Sequence, residues 1–231
     1  MPLTKLYDGV KDSVVQVIAL DSSNNVTSNG TGSLIEPRVV LTCEHCVVPS
    51  MKMAIVDPQN VSKAIFGNVI YSNSADDIAL IEFQQDIGIP VTFSSSSTCN
   101  VGNGAFVVGF PMGITEQTLM SAHIASVTNS SLRIDVSVNH GNSGGPLFNL
   151  NGHQIGVVNA KHGSLANFLT QMKTMAPGAV MSVGGFDAVS SIRTLITEME
   201  RNLNLGIGYA IPSDKVRPLH AKLEATIPPA T

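Results

Sequence analysis

Asn139-His140-Gly141-Asn142-Ser143-Gly144-Gly145-Pro146-Leu147 sets one serine inside a cluster of glycines, between apolar runs at 132–138 and 147–150. Glycine on both sides opens backbone conformations that a Cβ forbids. Such a turn can present the Ser143 hydroxyl while aiming successive N–H groups into one small concavity. Acyl transfer needs both: a nucleophile, and preorganised donors for the oxyanion. The stretch also fits a tight hairpin with an exposed serine. No helical pattern follows it, which separates it from the hydrolase nucleophile elbow.

Outward from this loop the chain is a succession of short runs rich in Val and Ile. One set occupies 14–20, 33–35, 39–42, 53–56, 64–71 and 78–83; a second occupies 105–110, 121–127, 132–138, 146–150, 154–160 and 209–211. Clusters of Gly, Pro, Asn, Asp and Ser separate them, the pattern of an antiparallel barrel or sandwich. Ser94-Ser95-Ser96-Ser97-Thr98 divides the sets as a polar linker. The expectation is an all-β chain of two six-stranded antiparallel barrels. The first spans 1–95 and carries a short helix over 3–12; the second spans 100–231.

One region breaks the β rhythm. Leu165, Phe168, Leu169, Met172 and Met175 recur at helical spacing after Ser164, a fitting N-cap. Val189, Ile192, Leu195, Ile196, Met199 and Leu203 do likewise, with Asp187 near the start and Arg201 near the end. A helical insertion over about 164–204 is predicted, within a segment 161–205 of the second barrel. It reads as a helical pair packed on the barrel, or as a mobile flap or oligomer contact rich in Met. A last helix is predicted over 213–225, with Pro218 kinking or delaying it.

Charged residues make up 13% of the chain, against roughly 25% in an average protein. A formal net charge of −4 and the lack of a like-charge block give no footing for nucleic acid. No window reaches the roughly 18 apolar residues of a membrane helix, and Met-Pro-Leu-Thr-Lys is no apolar signal core. With only 3 cysteines, a disulfide framework is not expected, and a reducing, cytoplasmic setting is.

A serine hydroxyl needs a base at neutral pH. The histidines are His45, His123, His140, His153, His162 and His220, and spacing alone does not choose among them. His45 lies just past an apolar strand, in Val40-Leu41-Thr42-Cys43-Glu44-His45-Cys46. Asp76 and Asp77 precede Ile78-Ala79-Leu80; an aspartate there can orient an imidazole or merely punctuate the strand. Of the two, Asp76 reads as the solvated one.

These three segments, in the order His, Asp, Ser, resemble the motifs of chymotrypsin-fold serine proteases. The closer likeness is to the protease domain of the HtrA/Deg branch. It takes in Gly109-Phe110-Pro111-Met112-Gly113 and Gly206-Ile207-Gly208-Tyr209-Ala210-Ile211-Pro212-Ser213, covering about 8–160 and 206–220. The resemblance implies a serine endopeptidase with Ser143 as nucleophile, His45 as general base and Asp77 orienting it, working through an acyl-enzyme. It implies an oxyanion hole from the N–H groups of Gly141 and Ser143.

The departures from that pattern are informative. Asn142 stands where trypsin-like zymogens carry an aspartate that pairs with a new N-terminus, so no activating cleavage is expected. Cys46 follows the histidine, but Gly30 matches its usual disulfide partner. Cys43, Cys46 and His45 could suggest zinc, but no fourth ligand is evident; no metal and no cofactor are expected. The branch usually carries a PDZ domain, and this chain is expected to lack one. Ser137, mapped to the floor of the specificity pocket, is small and neutral, against a Lys/Arg preference. Asn159, Lys161 and His162 fall at and after the pocket-wall strand, and His140 at its mouth. Inward-pointing Lys161 and His162 favour an acidic P1 residue; outward-pointing ones favour a small aliphatic one. The expected partner is a protein or peptide substrate, with neither nucleic acid nor membrane. The 161–205 insertion is expected to serve pocket regulation, a homo-oligomer contact or a regulatory protein. The competing expectation is a gated or inactive protease fold that only binds, or an effector that a partner activates.

Overall fold

A computed structural model describes residues 2–48, 50–57, 60–112, 114, 116–159, 182–183, 186–187 and 206–226. The chain divides into two compact units, residues 1–160 with 206–231, and residues 161–205. Within the second unit, the strands Ser182–Val183 and Phe186–Asp187 form an antiparallel hairpin. The predicted helical pair, Lys161 and His162 lie outside the described residues.

The larger unit holds two closed antiparallel barrels of six strands each, as expected. The first is built from β1 (Val14–Leu20), β2 (Val26–Glu36), β3 (Val39–Thr42), β4 (Lys52–Asp57), β5 (Asn60–Asn73) and β6 (Ile78–Phe83). Its strand order is β1-β2-β3-β6-β5-β4, closed by β1 against β4. The second comprises β7 (Gly104–Gly109), β8 (Thr118–Val127), β9 (Leu132–Ile134), β10 (Pro146–Asn149), β11 (Gln154–Asn159) and β14 (Gly208–Pro212). The hairpin described above supplies β12 and β13. Helix α1 (Leu3–Val10) precedes the first barrel, and α2 (Ser213–Thr226) follows the second.

Several strands read as unbroken apolar runs because both of their faces are buried. In β3, Val40 points into the first barrel beside Val15, Val17, Ile55, Ile81 and Phe83. Its neighbours Val39 and Leu41 join Ile78 and Leu80 of β6 in another cluster, which packs on Val157, Ile211 and Val216 from the other half of the chain. Alternate side chains of β3 and β6 thus fill a barrel, and those between them join the two barrels. α1 inserts Leu6 and Val10 against Phe106, Val108 and Phe148, and the Phe106 and Phe148 rings stack with centroids 5.2 Å apart.

Two strands that bear on the serine loop differ from the sequence reading. β2 begins seven residues earlier than 33, since Ser28, Asn29, Gly30 and Thr31 pair by backbone with β1 and carry no apolar pattern. β9 stops at Ile134, where Asp135 folds back on β8: its N–H donates to His123 O at 3.1 Å, and its carboxylate accepts the His123 N–H. Residues 135–138, read as strand, are instead the lead-in to the serine loop.

The polar run 94–98 is no loose tether. Ser95 Oγ, Ser96 Oγ and the Ser97 N–H all donate to the Asp214 carboxylate at 2.8–3.0 Å, and Ser213 Oγ donates to Ser94 O at 2.7 Å. These bonds hold the Asp214 carboxyl below its usual range against the opposing effect of burial. They anchor the first turn of α2, which starts at Ser213 without delay and runs through Pro218.

Candidate active site

β3 and β6 run antiparallel with Thr42 opposite Ala79, so the residues after β3 and those before β6 meet at one end of the barrel. Cys43 ends the extended backbone, and a single 3₁₀ turn, Glu44–Cys46, swings His45 out over that end. Asp77 sits in the left-handed region with φ +54°, a conformation that Asp and Asn tolerate better than most residues. His45 Nδ1 lies 2.8 Å from Asp77 Oδ2 and 3.0 Å from Oδ1, and the His45 backbone N–H donates to Oδ1 at 3.0 Å. One carboxylate thereby grips both the ring and the main chain of the histidine.

Asn159, at the end of β11, donates through Nδ2 to Asp77 Oδ2 at 2.7 Å. It was expected among the substrate-binding residues; the structure gives its buried amide to the carboxylate. Asp76 is the more exposed of the two aspartates, its side chain 39% accessible against 15% for Asp77, and Lys215 of α2 donates to its Oδ1 at 2.6 Å. That pair steadies the turn presenting Asp77, although surface ion pairs as exposed as this contribute at most about 1 kcal/mol.

The serine loop is held from both barrels. Ser143 is buried, and its carbonyl accepts from Thr31 N–H at 2.8 Å and faces Cys46 Sγ at 3.6 Å, so the residue beside His45 touches it. Gly144 N–H donates to Val158 O at 2.8 Å, and Val158 N–H donates to Gly145 O at 2.7 Å. Asn142 N–H donates to Asn139 O at 3.1 Å, with Gly141 at φ +92°; this is a turn whose third residue is left-handed, the type II form. His140 O accepts from Met112 N–H at 2.7 Å. In a trans peptide the N–H points opposite the C=O, so the Gly141 N–H is directed away from Met112. Among the described residues nothing accepts from it. Asn142 is buried as well, and its Nδ2 reaches Met120 Sδ at 3.9 Å while its Oδ1 meets no donor among the described residues.

Burial penalises the His45 imidazolium, but the hydrogen bond to Asp77 and the neighbouring Cys46 outweigh it and raise its pKa from 6.5 to about 9. Burial, with Cys46 and Asp77 nearby, pushes the Cys43 thiol well above its ordinary pKa, and its Sγ donates to Val158 O at 3.3 Å. Donor atoms of Cys43, His45 and Asp77 lie within 4.8 Å of one another, the one such cluster among the described residues. A metal there would have to displace the Cys43 thiol proton from its hydrogen bond and compete for the His45 imidazole. All three cysteines are unbridged, and a Cβ on Gly30 would come 2.8 Å from Cys46 Sγ: glycine leaves room for the thiol where a bridge would otherwise close.

Residues 30–157 match the trypsin-like peptidase domain, more than half of the chain. The chain belongs to the trypsin-like peptidase family. It is 30% identical over 206 residues to the periplasmic pH-dependent serine endoprotease DegQ of Escherichia coli, covering 84% of this chain and 37% of that protein. It is 26% identical over 210 residues to a probable periplasmic serine endoprotease, DegP-like, of Rickettsia conorii, covering 84% and 34% respectively. The chain therefore spans about a third of the length of these curated relatives. The structure of a serine endoprotease from Yersinia pestis shares the fold, with a TM-score of 0.69 at 18% identity over 98% of this chain and 68% of that one.

The Escherichia coli and Rickettsia conorii relatives, periplasmic by name, overturn the cytoplasmic expectation. The inference from cysteine count failed for a physical reason. Cys43 and Cys46 are buried among apolar neighbours and act as small hydrophobic side chains, and as unbridged thiols they do not report the redox compartment.

Of the trypsin-like specificity residues proposed from the sequence, Ser137 is half-buried in the lead-in to the loop, and His140 is exposed at its turn. Thr31 was not singled out in the sequence, yet it contacts both ends of the serine loop. Its only sequence signal was a polar residue between two glycines, Gly30 and Gly32.

Proposed function

We propose that this peptidase-family chain is a serine endopeptidase with His45, Asp77 and Ser143 as its triad. The observation that carries the reading is the chain of contacts Asn159–Asp77–His45, with Ser143 pinned beside Cys46. His45 Nε2, opposite the ring nitrogen that Asp77 holds, takes the Ser143 hydroxyl proton as Oγ attacks the scissile carbonyl carbon. The tetrahedral oxyanion is received by the N–H groups of Gly141 and Ser143. Collapse expels the amine, which takes the proton from His45 and leaves an ester on Ser143. Water, deprotonated by the same imidazole, then releases the acid and restores the hydroxyl.

The left-handed Gly141 turn supports a hole already shaped for an oxyanion, with no N-terminal cleavage required. Asn142 is neutral and sits at 1% exposure, where an aspartate would call for a buried ammonium. By likeness to the relatives, the substrates are proteins and the setting is periplasmic. Ser137 at the pocket floor argues for an uncharged or acidic P1 residue over Lys or Arg.

Turnover of a loosely folded protein such as casein tests the reading. The expected result is steady cleavage by the wild-type chain and a loss of about 10⁶-fold in Ser143→Ala, since triad members act as a unit. Equal cleavage by the two would defeat it.

A further inference from the structure

We propose that the Thr31 side chain is a positioning residue that holds the oxyanion loop in its competent shape. This inference rests on the endopeptidase reading above. Thr31 lies in β2 of the first barrel and is wholly buried. Its Oγ1 accepts from the Phe110 N–H at 3.0 Å and donates to the Gly141 carbonyl at 2.6 Å. Its main chain is equally committed: the N–H donates to Ser143 O at 2.8 Å, and the C=O accepts from Thr42 Oγ1 at 2.8 Å. One residue thus ties the two ends of Gly141-Asn142-Ser143 to the opposite barrel.

The hydroxyl matters because of which peptides it orients. The 140–141 peptide is fixed by its carbonyl, which accepts from Met112 N–H at 2.7 Å. The next peptide, 141–142, is fixed by its carbonyl on Thr31 Oγ1. Between these two anchors Gly141 is held at φ +92°, with its N–H directed away from Met112. The Phe110 N–H, from the segment leading to Met112, ends on the same hydroxyl, so both anchors share one support. Without Oγ1, the part-buried Phe110 N–H and the buried Gly141 C=O lose their partners together. The loop can recover those bonds only by rotating its peptides, and rotation carries the Gly141 N–H off target.

An oxyanion donor acts in the transition state more than in the ground state, so its misplacement lowers kcat and spares KM. The test is steady-state cleavage of a peptide substrate by the full chain and its Thr31→Val and Thr31→Ser variants, with folding checked by near-UV circular dichroism. Thr31→Val keeps shape and removes the hydroxyl; Thr31→Ser keeps the hydroxyl and removes the methyl. The expected result is kcat down by about 10²-fold in Thr31→Val, the scale of one lost oxyanion donor, with KM changed less than about 3-fold. Thr31→Ser should stay within about 3-fold of wild type. A folded Thr31→Val with wild-type kcat overturns the proposal, and so does a Thr31→Ser that loses as much as Thr31→Val. If Thr31→Val does not fold, Thr31→Ser decides alone: retained kcat supports the hydroxyl's role and a 10²-fold loss overturns it. An inactive wild-type chain would overturn the endopeptidase reading and this inference with it, whereas an active one indifferent to Thr31→Val overturns this inference only.

Discussion

Asn159 Nδ2 stands 2.7 Å from Asp77 Oδ2, the same oxygen that holds His45 Nδ1 at 2.8 Å. A strand of the second barrel therefore orients a carboxylate of the first, and through it the imidazole. Asn159→Ala should lower kcat/KM by about 10- to 100-fold, equivalent to the roughly 1.5–3 kcal/mol of a hydrogen bond to a charged group. The loss should fall on kcat. A raised KM with unchanged kcat would return Asn159 to the substrate-binding role that its sequence position first suggested.

Asp77→Asn should be more severe. The amide can no longer stabilise the imidazolium, and it favours the wrong ring tautomer, which costs about 10⁴-fold in kcat in triads of this kind. Nuclear magnetic resonance of His45 should show its pKa falling from about 9 back toward 6.5. A variant with unaltered titration would show that the carboxylate is not what raises it.

The pH profile follows from that shift. The base must be neutral to take the serine proton, so kcat/KM should climb as pH rises and level off only above about 9. This replaces the limb at roughly pH 6.5–7 that an unperturbed histidine would give. Stability runs the other way. The raised pKa means the charged His45–Asp77 pair stabilises the fold fully below about 6.5, and that contribution is lost as pH passes about 9. Activity measured across that window, together with urea midpoints, reads both slopes. A profile already flat by pH 7 would contradict the shift.

Gly144 is the most demanding glycine of the loop. It has φ +85°, and a Cβ there would collide with Thr42 Oγ1 and Thr31 O, both buried. Gly144→Ala should therefore cost about 2–4 kcal/mol in urea unfolding, from overpacking and left-handed strain together. A wild-type midpoint would mean that the two barrels yield at this contact more readily than the packing indicates.

Much of the fold was legible because the apolar runs are real strands, and the proposed triad residues drew notice because they fall near strand ends. Runs such as Val39-Val40-Leu41 and Ile78-Ala79-Leu80-Ile81 announced strands without saying why they fail to alternate; the reason is a barrel on one side and a second barrel on the other. The first half of β2 was invisible, since Asn29 and Thr31 are placed by backbone pairing that leaves no mark in side-chain polarity. The His45–Asp77 pair was readable from motif order, but the partners that hold it were not. Asn159 and Lys215 reach their aspartates across 82 and 139 residues of sequence, and only folding brings such pairs together. Thr31 was missed for the same reason, its hydroxyl meeting Gly141 across 110 residues.

The most direct test of Ser143 as the nucleophile is covalent. The full chain would be incubated with a fluorophosphonate, and the adduct located by peptide mass spectrometry. One adduct is expected, on Ser143, forming faster as His45 is deprotonated and absent in Ser143→Ala. A folded wild-type chain that stays unlabelled, or that labels at another residue, would contradict it.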